Sequence, residues 1–342
     1  MNAKDISGQA PGGQRTRLAD VLPLDTPYVM QIFPVYACNF KCDYCIFSID
    51  ASQRGFISDQ PIMDFKLYTK CVDDMTRFPN KIKVLRFVGI GEPLLHKRIA
   101  DMVAYTARKQ VAQTIEILTN AHLLTPPIAD ALISAGLNRL VVSVQGTSKE
   151  KYRNTSGIDL DFDAFIENLR YFYEHKGQVH MYIKVVDSAL DGKEDEKKFY
   201  RIFGDICDTI AIEHTVPIHS GIDYARVLKD SEADDQAVTQ FGLPVSEVKI
   251  CPQPFFTMQI NPDGKVVPCF SFEYPGIMGD CNRASVTDIW NGKEFQQCRR
   301  KMLDGLRYCG EICTHCQIIK YRLFPEDDLR DDAQRLKQLY RS

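Results

Sequence analysis

Three cysteines stand within eight residues, at Cys38-Asn39-Phe40-Lys41-Cys42-Asp43-Tyr44-Cys45. Seven more fall between Cys251 and Cys316, and only Cys71 and Cys207 lie between the two groups. In a small secreted chain twelve cysteines would suggest disulfides, but at this length and with this clustering they point to metal or redox chemistry. A [4Fe–4S] cluster is normally held by four thiolates, so three thiolates would leave one iron open to a further ligand. Structural zinc would need a fourth donor, and no histidine lies near the motif.

In the second group, Cys251 and Cys269 flank a predicted β-hairpin, Phe255–Ile260 and Lys265–Val267, with its turn at Asn261-Pro262-Asp263-Gly264. Cys313 and Cys316 follow as a Cys-x2-Cys pair. Four thiols can converge on one site, and either zinc or an iron–sulfur cluster could occupy it.

The elements that must position these groups follow from the patterning. Short, Val- and Ile-rich runs predict strands over Tyr28–Ala37, Ile82–Val88, Thr114–Leu118, Arg139–Val144, Val179–Val186 and Thr209–Glu213. Amphipathic stretches lie between them. One carries Leu67, Tyr68, Cys71, Val72 and Met75 on a single face, another opens at Pro126-Pro127 and stops at Gly136, and a third runs from Phe162 to before Gly177. Strands with crossover helices imply an α/β fold with a parallel sheet that can curl into a barrel. A helix is expected from Ser285 through Trp290 and Phe295 toward Met302, and a helical tail after Pro325.

The first motif, with aromatic Tyr44 before its last cysteine, resembles the CxxxCxΦC signature of radical S-adenosylmethionine (SAM) enzymes. A second match lies 44 residues beyond Cys45, where Gly89-Ile90-Gly91-Glu92-Pro93 follows the second predicted strand. It is similar to the family's GGEP motif, with Ile90 in place of glycine. The resemblance implies a partial (β/α)6 barrel, a cluster on Cys38, Cys42 and Cys45, and SAM held by Tyr44, Gly89, Gly91, Glu92 and Pro93. Asn120, Ser143 and Lys184, at or near ends of later strands, are further SAM contacts by the same resemblance.

The stretch from Cys251 resembles the SPASM and twitch extensions of this superfamily. The resemblance implies an auxiliary [4Fe–4S] cluster on Cys251, Cys269, Cys313 and Cys316, in a small α+β domain. No cysteine follows Cys316, which favours the one-cluster twitch form found in radical SAM dehydrogenases of aminoglycoside biosynthesis. Cys309 is either spare or competes with Cys313 as a ligand. The implied organisation is an N-terminal extension over 1–27, a barrel over 28–219, a connector over 220–250, the auxiliary-cluster domain over 251–324 and a tail over 325–342.

The activity so implied is hydrogen-atom abstraction by a 5′-deoxyadenosyl radical, with the auxiliary cluster accepting an electron as an alcohol becomes a ketone. Lys184, Glu213 and His214 are the candidates for proton transfer. The expected substrate is a small polyol, amino sugar or sugar nucleotide, because the residues before the first strand are too few for a peptide-binding domain. The expected reductant is a flavodoxin or ferredoxin. The alternatives are an epimerase using Cys281 as hydrogen donor, a peptide maturase docking through residues 220–248, and a non-enzymatic electron carrier.

Composition sets the outer bounds. The 342 residues include 42 Lys and Arg against 45 Asp and Glu, a formal net charge of −3. This speaks against a general nucleic-acid binder. No apolar run approaches the roughly 20 residues of a membrane-spanning helix, and the first 17 residues do not read as a secretory signal. A cytoplasmic enzyme without membrane or nucleic-acid partners is expected.

Overall fold

The computed structural model describes residues 1–9, 15–54, 57, 60–228 and 238–340. Ten strands form one sheet: β1 (Lys4–Asp5), β2 (Val29–Ile32), β3 (Ile82–Phe87), β4 (Ala112–Thr119), β5 (Arg139–Ser143), β6 (His180–Val186), β7 (Thr209–Glu213), β8 (Thr257–Ile260), β9 (Lys265–Val267) and β10 (Gly279–Asp280). Their order is β1-β7-β6-β5-β4-β3-β2-β8-β9-β10. Strands β2 to β7 pair in parallel with their sequence neighbours, which is the expected (β/α)6 half of a barrel.

The strands alternate between two environments. Leu85 and Phe87 of β3 are fully buried beneath helices such as Phe65–Met75, whose N-cap Asp64 accepts from the amides of Lys66 and Leu67. That helix buries Tyr68, Cys71, Val72 and Met75, a face legible in its spacing. The opposite faces are polar. Gln31, Arg86, Glu116 and Arg139 are in-register neighbours on β2, β3, β4 and β5, and together they make a charged row across the barrel interior.

Three features depart from expectation. The cysteine-rich segment continues the barrel sheet: β8 pairs in parallel with β2, Val29 opposite Thr257 and Ile32 opposite Ile260. The N-terminal segment supplies β1, which pairs with β7. The helix expected from Ser285 to Met302 is two helices, Val286–Trp290 and Lys293–Met302. The chain is extended at Gly292. The buried Arg299 donates to the Trp290 carbonyl at the break at 3.0 Å and to the Pro254 carbonyl at 2.9 Å.

Ser285 caps the first of these helices through a bond from the Asp288 amide. Among the described residues after Pro325, only Ala333–Lys337 is α-helical. Within the expected connector, residues 229–237 lie outside the described residues.

Candidate active site

The carboxyl ends of parallel strands β2 to β7 open on one edge of the sheet, where loops collect functional groups in α/β folds. The Cys38–Cys45 segment follows β2, Gly89–Pro93 follows β3, Asn120 follows β4 and His214 follows β7. Hydrogen bonds tie these loops together. Glu92 donates its amide to the Ala37 carbonyl at 2.8 Å. Asn120 donates from Nδ2 to Asn39 Oδ1 at 2.8 Å and to the sulfur of Cys38 at 3.8 Å. Asn39 is in turn bonded to His122 Nδ1 at 2.8 Å.

Cys38, Cys42 and Cys45 lie close enough to disfavour one another's ionisation. Burial is the larger cause, and it pushes the Cys38 thiol up to about 12. Buried thiols of this kind become thiolates when a bound cation supplies the missing charge. Three donors match a four-iron cluster with one open iron. Among the described residues, no group of three His, Cys, Asp or Glu is gathered as a single-ion site.

The Gly89–Pro93 loop is shaped by close approach. A Cβ at Gly91 (φ +157°) would stand 2.1 Å from the Val35 carbonyl oxygen, and one at Gly89 (φ +145°) 2.5 Å from the Phe33 ring. Only glycine fits either place. Ile90, the departure from the family motif, is buried against Phe33, Tyr36, Ile46 and Phe47. Pro93 opens a short 3-10 turn.

Glu92 is 2% exposed. Its carboxylate accepts from Thr119 Oγ1 at 2.6 Å, the Asn120 amide at 2.8 Å and the Leu94 amide at 2.9 Å. It therefore braces the ends of β3 and β4 rather than projecting into open space. Burial raises its pKa to about 7, against the pull of those three donors.

A cavity of about 140 Å3 at this edge is lined by Tyr44, Ser143, Lys184, Glu213, His214, Gln240 and Arg322. Tyr44 donates its hydroxyl to Gln145 Oε1. Below it, a cavity of about 550 Å3 occupies the barrel interior. Lys184, Glu213, Gln240 and Arg322 line both and stand between them. Glu213 is buried and accepts from Lys184 Nζ, from Gln240 Nε2 at 2.6 Å and from the Tyr182 hydroxyl at 3.1 Å. His214 lines only the outer cavity, where its Nδ1 meets Asp187 Oδ2 at 3.0 Å.

The second thiol group is equally compact. Cys251, Cys269, Cys313 and Cys316 line one pocket of about 30 Å3. Burial drives the Cys251 thiol well above its ordinary range, with lesser contributions from Cys269, Cys316 and Cys313. Cys309 does not line that pocket; it is hydrogen-bonded to Cys313, the main cause of the raised Cys313 pKa. Gln253, Phe270, Ser271 and Ile319 line this pocket and the barrel cavity alike, so the two spaces share a wall.

Cys281 requires a correction. Its amide bonds to the Gly264 carbonyl at 2.8 Å, following β10. Its side chain is fully buried and hydrogen-bonded to Cys71 of the helix Phe65–Met75. It lines neither cavity, so the antiparallel pairing of β10 places it in the core and not among the candidate catalytic groups.

Several groups escaped the sequence reading. Arg86, Glu116 and Arg139 were detectable as charges inside otherwise apolar strands. Gln240, Gln253 and Arg322 carry no such signal, because only folding brings them to the site.

Comparison with known proteins adds the following. The family model described as "Radical SAM superfamily" matches residues 32–197, and that described as "Iron-sulfur cluster-binding domain" (SPASM) matches residues 251–317. A tungsten-containing aldehyde ferredoxin oxidoreductase cofactor-modifying protein of Pyrococcus furiosus is 23% identical over 315 residues, 82% of this chain and 85% of the relative. The S-adenosyl-L-methionine-dependent 2-deoxy-scyllo-inosamine dehydrogenase of Niallia circulans is 23% identical over 282 residues, 82% of this chain and 88% of the relative.

Among solved structures, BtrN in complex with AdoMet and 2-DOIA superposes with a TM-score of 0.53 at 19% identity, over 84% of this chain and 92% of that one. Streptococcus suis SuiB bound to its precursor peptide SuiA gives 0.58 at 15% identity, over 91% and 76%. These structural likenesses show the fold. The matched domains bring [4Fe–4S] clusters and SAM as their cofactors. No helix among the described residues is long and apolar enough to cross a membrane.

Proposed function

We propose that this chain, a radical SAM superfamily member with a C-terminal SPASM iron-sulfur cluster-binding domain, is a dehydrogenase that oxidises an alcohol of a small molecule held in the barrel cavity. Cys38, Cys42 and Cys45 hold the first cluster, and Cys251, Cys269, Cys313 and Cys316 the second. SAM would be held at this edge of the sheet, where Tyr44 and Ser143 line the outer cavity, Gly89 the barrel cavity and Lys184 both, while Gly91, Glu92, Pro93 and Asn120 belong to the loops tied to the cysteine segment. When bound, these groups supply hydrogen-atom abstraction from carbon and a one-electron acceptor. Electrons for the first step come from a flavodoxin or ferredoxin.

The shared wall of Gln253, Phe270, Ser271 and Ile319 carries this reading. It sets the four-thiol pocket against the substrate cavity, as an acceptor of the substrate's electron must be. The cavity's volume of about 550 Å3 also lies within the small-molecule range of roughly 300–1,000 Å3.

The protein's own groups do the remaining work. Glu213 takes the hydroxyl proton, being a carboxylate at the boundary of the two cavities. Lys184 and Gln240 fix its orientation through their bonds to Oε2. Gly89 and Gly91 let the loop after β3 approach the cysteine segment, and Glu92 and Asn120 hold that contact.

The test is anaerobic turnover with dithionite and SAM. The reading requires 5′-deoxyadenosine, one SAM consumed per product, and a product two mass units lighter than the substrate. A product of unchanged mass that gains one deuterium from heavy water would mean epimerisation, and absence of 5′-deoxyadenosine would mean an electron carrier.

A further inference from the structure

The barrel cavity is charged in a way that oxidation of a neutral alcohol does not require. Among the described residues, six cationic and three anionic side chains line it, an excess of three positive charges. Some of these are neutralised where they stand. Arg15 pairs with Asp327, and Lys184 pairs with Glu213. Lys83 is exposed and lies over the Tyr28 ring.

The deeper groups are not balanced. Glu116 is 1% exposed and is shared by Arg86 and Arg139, one carboxylate between two guanidinium groups. Arg322 gives its Nε to the neutral amide of Gln240 at 2.7 Å. Burial lowers the Arg322 pKa, Glu213 opposes that fall, and Arg86 adds to it. Arg86 and Arg322 are therefore near enough to repel one another. The Nε of Arg139 is buried with no hydrogen-bond partner among the described residues.

Guanidinium groups remain charged at any physiological pH and present a fixed fork of donors. Three of them around one buried space, facing Glu116 and a Glu213 already bonded to Lys184, form a site that a bound oxyanion completes. A free amine there would face three guanidinium groups and carboxylates already engaged by Arg86, Arg139 and Lys184.

We infer that the substrate is anionic, a sugar or polyol bearing a phosphate ester or a carboxylate, with its oxyanion held by Arg86, Arg139 and Arg322. This rests on the reading that the barrel cavity is the substrate site, and it sets aside the unphosphorylated amino sugar. Phosphate and carboxylate share the recognition chemistry, and the test separates them.

The experiment is calorimetric titration of the reconstituted, SAM-loaded enzyme with four probes: glucose 6-phosphate, gluconate, glucose and glucosamine. At least one anionic probe is expected to bind tighter than glucose and glucosamine by about tenfold or more. The preference should weaken as salt is raised. Preference for glucose 6-phosphate over gluconate assigns a phosphate ester, and the reverse a carboxylate.

Arg322→Gln and Arg86→Gln should each lower anion affinity by about tenfold. Equal binding of all four probes, binding of none, or an anion affinity undiminished in both variants overturns the inference. The wild-type comparison does not depend on either variant folding. SAM cleavage is followed in the same samples. An enzyme that cleaves SAM but binds no anionic probe refutes the anionic substrate alone. One that binds the anion but never cleaves SAM refutes the reaction and leaves the charge assignment standing.

Discussion

Arg322 donates from Nε to Gln240 Oε1 at 2.7 Å, a bond between residues 82 positions apart. The same amide donates from Nε2 to Glu213 Oε2 at 2.6 Å. The C-terminal segment, the connector and β7 thus meet at the carboxylate between the two cavities. Removing the peptide stretch that carries Arg322 would loosen the proposed proton acceptor as well as one wall of the substrate site.

Glu213→Gln keeps the shape of the side chain but not its basicity. Ketone formation is expected to fall by about 10²–10⁴, with 5′-deoxyadenosine rising relative to product. Chromatography of both products in one quenched sample gives the ratio. A ketone yield close to wild type would assign the proton to another group.

Iron content tests the two thiolate sets. Wild-type protein reconstituted without oxygen should carry about eight irons per chain, and Cys269→Ser about four. The variant should still cleave SAM but yield no ketone, having lost the electron acceptor. Cys309→Ser should retain about eight irons, since Cys309 lies outside the four-thiol pocket. Loss of iron in Cys309→Ser would redraw the ligand set.

Cys281→Ala addresses the thiol buried against Cys71. Turnover should be unaffected, while unfolding in urea should show a loss of about 1 kcal/mol from the small cavity created. Abolished turnover with hydrogen abstraction intact would instead make Cys281 a hydrogen donor.

Glu92 should leave a signature in the pH dependence of stability. Its folded pKa is raised from 4.5 to about 7, chiefly by burial. Between those values the native state keeps a proton that the unfolded chain has lost, so stability falls as pH rises through that window. Below it both states are protonated and the penalty is absent. The contribution is at most about 3 kcal/mol. Urea titrations of the apoprotein at about pH 5 and about pH 8 should show a smaller drop in Glu92→Gln than in wild type. Identical slopes would mean that Glu92 ionises as freely folded as unfolded.

Much of the architecture was legible because local patterns and tertiary demands agree. The runs Ile82–Val88 and Thr209–Glu213 are apolar enough to pack beneath helices, and both became parallel strands. Ser285, the expected helix start, caps its helix through its side-chain oxygen. The helix through Trp290 was overextended because Gly292 costs little in a pattern read locally, whereas Arg299, buried across the break, is a tertiary partner no window contains.

The sequence by itself determined the donor types and their spacing at each thiol group, since those within Cys38–Cys45 and within Cys313–Cys316 are properties of a continuous chain. It also determined the glycine positions after β3, where backbone approach admits no side chain. Only the tertiary structure decided which distant groups share a space. Pairing of β8 with β2 brings the second thiol pocket against the barrel cavity, and pairing of β10 with β9 withdraws Cys281 into the core. Register alone aligns Arg86, Glu116 and Arg139. Such relationships depend on hydrogen bonds between strands far apart in sequence, and local propensity does not encode them.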